Sequence, residues 1–84
     1  IENGRAAGVI YRQGGCAHRI RARQGVILSA GALQSPQLLM LSGVGPGPHL
    51  QDMGIPVQVD CPGVGANLQD HLQVRAIYKA NRPI

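Results

Sequence analysis

Phenylalanine and tryptophan are absent from these 84 residues, and tyrosine occurs only twice. Large rings supply much of the buried area of a small core, so their absence argues against a chain that stabilises itself alone. Acidic residues are also scarce, at four against eight Lys and Arg. That scarcity rules out paired-carboxylate catalysis and any carboxylate-rich metal cluster. Two cysteines, Cys16 and Cys61, cannot build a disulfide framework, and neither belongs to a Cys-x-x-Cys pair or stands beside a His at ligand spacing. They are expected to be buried, reduced thiols of a cytoplasmic protein, with no metal bound. No apolar run is long enough to cross a bilayer. The chain opens on Ile1 without Met and closes on Ile84 within a strand-forming stretch, so both ends read as cuts.

The formal net charge of +4 raises the question of nucleic acid. Arg19, Arg21 and Arg23 alternate with Ile20 and Ala22, which is the pattern of a strand with one wet and one buried face. No aromatic residue is interleaved with them to stack on bases, so nucleic-acid binding is not expected.

The remaining residues spell out an α/β order. Asn3-Gly4 and Gln13-Gly14-Gly15 are turn signals on either side of the apolar run at 8–11, and 18–22 alternates as its partner, giving an antiparallel β-meander. Residues 26–28 form a compact apolar run before the small residues 29–32, which suits one strand buried on both faces. Ser35 then predicts a helix N-cap and Pro36 the first helical position, with a short apolar helix ending at Ser42-Gly43. Such a helix must be buried against something larger. Residues 48–53 predict one or two helical turns stopped by Gly54. Residues 55–60 predict an edge strand because Pro56 lacks a ladder donor, and 72–79 predict a last strand.

Few residues offer chemistry. Gly43-Val44-Gly45 and Gly63-Val64-Gly65 each begin a G-x-G-x-x-G pattern, but Pro48 and Leu68 stand at the sixth position. A complete dinucleotide fingerprint is therefore absent. The small residues Ser29, Ala30 and Gly31 at a strand end would let a ligand approach the backbone, although close helix–strand packing explains them equally. Asp70 and His71 are adjacent in sequence, which on a strand points them to opposite faces. Asn67 suits either a cofactor contact or a turn. His18 and His49 fall in surface segments.

The stretch GALQSPQLLMLSGVG at 31–45 resembles the second signature of the glucose–methanol–choline (GMC) oxidoreductases: a small pair, Ser-Pro after two free positions, two aliphatics, then Ser-Gly-aliphatic-Gly. VILSAGA before it, and GIPV and PGVGANLQDH after it, resemble the family in the same order. The resemblance covers almost the whole chain and is nearest the choline-dehydrogenase-like branch. It implies an internal fragment of a two-lobed, FAD-dependent alcohol oxidoreductase. Residues 1–66 would belong to the Rossmann-like FAD domain, and 67–84 would lead into the substrate-binding domain. FAD would lie near Ser29, Ala30, Gly31, Asn67 and Asp70, and a small-molecule alcohol near His71 and Gln73. The family's phosphate-binding fingerprint and catalytic His match no position here, so no catalytic residue is assigned and the chain alone is expected to be inactive. Choline-oxidising relatives carry Glu two residues after the His of this Asp-His pair. Gln73 stands there instead, which implies a neutral alcohol. The competing expectation is a free-standing interaction module that self-associates through the apolar helix.

Overall fold

A computed structural model describes residues 1–82. Strand β1 (Gly8–Gln13) pairs antiparallel with β2 (Cys16–Arg21), in a register that sets Val9 opposite Ile20 and Tyr11 opposite His18. Gly14 and Gly15 make the connecting turn at φ 57° and 81°, the doubly positive combination whose twist matches a hairpin. A second such turn at Asn3 (φ 50°) and Gly4 (φ 73°) closes the Glu2–Arg5 bridge. The expected meander is thus a two-stranded hairpin preceded by a tight turn.

Helix α1 runs Gly31–Leu41, a full turn earlier than the Ser-Pro signal predicts. Gly31, at φ 87°, makes the sharp entry, and Ser35 caps from inside: its Oγ accepts the Ala30 N–H at 2.9 Å. Pro36 is tolerated within the helix because it forfeits only the bond to the Ala32 carbonyl, close to the helix start. The far end is as expected. Gly43 (φ 86°) follows the helix, and its N–H donates to the Met40 carbonyl at 2.9 Å.

Beyond α1 lies the stretch that holds the buried positions of the described residues, 43, 45, 47 and 50. Strand β3 (Val44–Gly45) pairs parallel with β4 (Val59–Asp60), and α2 (Gly47–Asp52) packs between them in sequence. The edge strand expected over 55–60 is therefore only its last two residues. Asp60 caps α2, its Oδ1 accepting the Gly47 N–H at 2.8 Å. Leu50 is the single fully buried side chain among the described residues. An Asp60→Ala substitution should lower stability by about 1 kcal/mol, while Asp60→Asn retains most of it, as measured by chemical denaturation of the full-length protein.

Several expected elements lack a partner. Residues 26–28 run without strand pairing, and Ile27 is 92% exposed, because no neighbouring strand lies beside them among the described residues. Residues 72–79 are likewise irregular and exposed. No residue of α1 is buried, Cys16 is exposed and Cys61 only half-buried. On β2, Ile20 is 55% exposed, so its supposed buried face is uncovered. A compact chain of this length has a radius of gyration of about 12 Å, whereas the value here is 19.9 Å. The apolar faces are not satisfied within these residues. No helix among them is long and apolar enough to cross a membrane.

Candidate functional site at the start of the long helix

The entry to α1 gathers three of the residues singled out from sequence. Ser29 is exposed, Ala30 is half-buried with its N–H held by Ser35, and Gly31 turns the chain at positive φ. A Cβ built on Gly31 meets nothing within 4 Å, so the backbone there is open to an approaching group. By helix geometry the first-turn N–H groups lack carbonyl partners and carry the positive end of the helix dipole. No acidic side chain stands in that first turn to compete for them.

A second segment approaches the same helix. The turn at Cys61 to Ala66 is held by hydrogen bonds from Val64 N–H to the Cys61 carbonyl and from Ala66 N–H to the Gly63 carbonyl. Between this turn and α1 lies a shallow groove of about 290 Å³, walled by Ala32, Leu33, Pro36 and Met40 on one side and Gly65, Ala66 and Leu68 on the other. Met40 sets the spacing. A Cβ on Gly65 would lie 3.3 Å from Met40 Cε, and one on Gly45 would lie 2.8 Å from Met40 Cγ. Sequence reading missed this role. The available signal was Gly45 and Gly65, each the second glycine of a Gly-Val-Gly, against which a long flexible side chain can pack.

Asn67 sits between the groove residues Ala66 and Leu68, at φ 56°, a left-handed conformation that Asn tolerates better than most residues. The segment beyond it leaves the groove. Asp70 Oδ1 accepts the His71 N–H at 2.7 Å, so the carboxylate engages the backbone and not the imidazole. His71 and Gln73 are exposed and do not line the groove. His18 and His49 are exposed as expected, and His18 stacks on Tyr11 with ring centroids 5.1 Å apart. The structure therefore sets the 29–31 turn at the start of α1, lays the 65–68 segment along the helix beside residues 32–40, and leaves 70–73 outside.

An open turn of small residues into α1, and a glycine-rich loop packed along the same helix, define an α/β protein with a candidate ligand-contacting edge. The profile of the GMC oxidoreductase family matches residues 1–73, and the chain belongs to that family. It is 60% identical over all 84 residues to an "Oxygen-dependent choline dehydrogenase" of Rhizobium rhizogenes. It is 52% identical over the same span to a protein of that name from Rhizobium etli and to "Oxygen-dependent choline dehydrogenase 1" of Chromohalobacter salexigens. The chain spans 15% of the length of each of these curated relatives. Members of the family carry FAD in the full-length protein.

Proposed function

We propose that this chain is the part of an FAD-dependent alcohol oxidoreductase that backs the cofactor and leads toward the substrate. The observation carrying the reading is the α1 entry: small residues at 29–31, an open backbone at Gly31, and a first helical turn free of acidic side chains. These residues fit a group with sugar and phosphate oxygens, because a side chain larger than those present would occupy the approach. When bound, FAD supplies the hydride acceptor for alcohol oxidation. Ser29 offers a hydroxyl at the rim, Ala30 and Gly31 permit close approach, and the first-turn amides orient oxygen atoms. Asn67 and Asp70 belong to the same cofactor-facing segment, and His71 with Gln73 begin the substrate side. Residues 1–66 are accordingly the FAD-domain part, and 67–84 the passage into the substrate domain. No residue here abstracts or donates the reacting proton, so the chain by itself is inactive.

The test is the full-length protein under anaerobic conditions. Alcohol-dependent bleaching of a bound flavin spectrum supports the reading, and a protein isolated with no flavin and no alcohol-dependent reduction overturns it. Gly31→Val is expected to lower FAD occupancy by about tenfold, since a β-branched side chain resists positive φ and fills the approach.

For the substrate we favour a neutral alcohol, from Gln73. A neutral amide provides none of the charge attraction that would hold a quaternary ammonium ion. The second reading is choline itself, which the relatives' names support. Gln73→Glu should raise kcat/KM for choline relative to a neutral primary alcohol by about tenfold. Wild-type protein that already prefers choline strongly would reverse the assignment.

A further inference from the structure

The hairpin has two unlike faces. Directly opposed residues share a face, so Val9, Ile20, Tyr11 and His18 lie on one side. Ile10, Arg12, Arg19 and Arg21 lie on the other. On the second side Glu2 is held between two guanidinium groups. Arg19 Nη2 donates to its Oε1, and Arg21 Nη2 donates to its Oε2 at 2.9 Å. The two arginines remain 64% and 76% exposed. A neighbouring concavity is walled by Arg5, Arg21 and Arg23 around the same carboxylate. Arg5, Arg12 and Arg23 have no ion-pair partner among the described residues.

From this we propose that the arginine face of the hairpin is a docking surface for an acidic polypeptide segment, with Glu2 as its internal competitor. The occupant is identified by what already sits there. A side-chain carboxylate spans the Arg19–Arg21 fork, one oxygen to each, and one carboxylate against Arg19, Arg21 and the neighbouring Arg5 and Arg23 leaves positive charge to be matched. Nucleic acid is disfavoured because the Tyr11–His18 stack is on the opposite face, so this side has no ring for a base. An extended segment with carboxylates at alternate positions matches the spacing of Arg19 and Arg21 along β2. This role is separate from the cofactor edge and does not depend on it.

The fork makes the test directional. A fluorescent peptide alternating Glu and Gly is titrated into the full-length protein and followed by anisotropy. Glu2→Gln removes the competing charge from the fork and should tighten binding by about threefold, whereas loss of a merely structural ion pair would leave binding unchanged or weaken it. Arg19→Glu with Arg21→Glu should weaken it by about tenfold or more. Arg12→Glu, which touches no partner carboxylate in the fold, should also weaken it and guards against simple misfolding of the double variant. Unchanged or weaker binding by the Glu2→Gln protein would overturn the proposal. So would equal affinity for a Gln-Gly control peptide, or retention on phosphatidylglycerol vesicles without peptide binding, which would assign the face to a membrane.

Discussion

Replacing Gly43 with Ala should lower the stability of the full-length protein by on the order of 3 kcal/mol or more, measured as a shift in the denaturation midpoint. Two separate costs fall on this one methyl group. Gly43 holds φ at 86°, a left-handed conformation that costs an L-residue roughly 1–2 kcal/mol. The added Cβ would also lie 2.5 Å from the Pro56 carbonyl oxygen and 2.7 Å from Gln58 Cγ. A side chain can swing aside, but the carbonyl cannot move without disturbing the backbone that follows. Gly43's own carbonyl accepts the N–H groups of Gln58 and Val59, at 2.8 and 3.1 Å, and these two bonds start the β3–β4 pairing. Relief of the clash therefore means loss of the parallel pair. Gly54→Ala is the control. Gly54 has nearly the same conformation, φ 71°, but nothing lies within 4 Å of its added Cβ. Its loss should be confined to the conformational cost, roughly 1–2 kcal/mol. Equal losses at the two positions would mean that the Pro56 contact does not constrain the fold.

The comparison of Gly43 with the hairpin explains which parts were legible beforehand. The turns at Asn3-Gly4 and Gly14-Gly15 encode their geometry locally, in residues that accept positive φ, so sequence reading placed them. The stop of α2 at Gly54 is local in the same way. The β3–β4 pair is not. Its two-residue strands pair Val44 with Val59 and Gly45 with Asp60, far apart in sequence, and no alternation can develop over two positions. Residues 26–28 and 72–79 show the reverse failure. Their apolar and alternating patterns report a capacity to pair, but a strand also requires a neighbour to supply the ladder. At the candidate site, Asn67 was legible as a turn residue and has positive φ, whereas Gly31 was legible only as a small residue and its positive φ was not. The inward cap by Ser35 and the wedge formed by Met40 were not, because each is a side-chain contact set by where α1 begins.

Leu50→Ala should produce the other large loss, about 2–5 kcal/mol by chemical denaturation. Leu50 has no solvent exposure, and its Cδ1 and Cδ2 lie 3.6 and 3.7 Å from the position a Cβ would take on Gly45. The side chain thus packs directly against β3 at Gly45. Its main chain is held as well, the N–H donating to the Pro46 carbonyl at 3.0 Å and the carbonyl accepting from Ile55 N–H at 2.8 Å. Such tethering prevents collapse around a truncated side chain, which places the cost toward the upper part of that range. Leu41, 64% exposed on α1, supplies the contrast, since surface truncations away from packed features cost about 0.5 kcal/mol or less. Measured in the full-length protein, the pair separates two kinds of apolar residue. Leu50 should be costly because its cavity is closed within these residues. A loss at Leu41 as large as that at Leu50 would show α1 covered by chain outside the described residues. A small one would leave its apolar face free for the self-association that the sequence also allows.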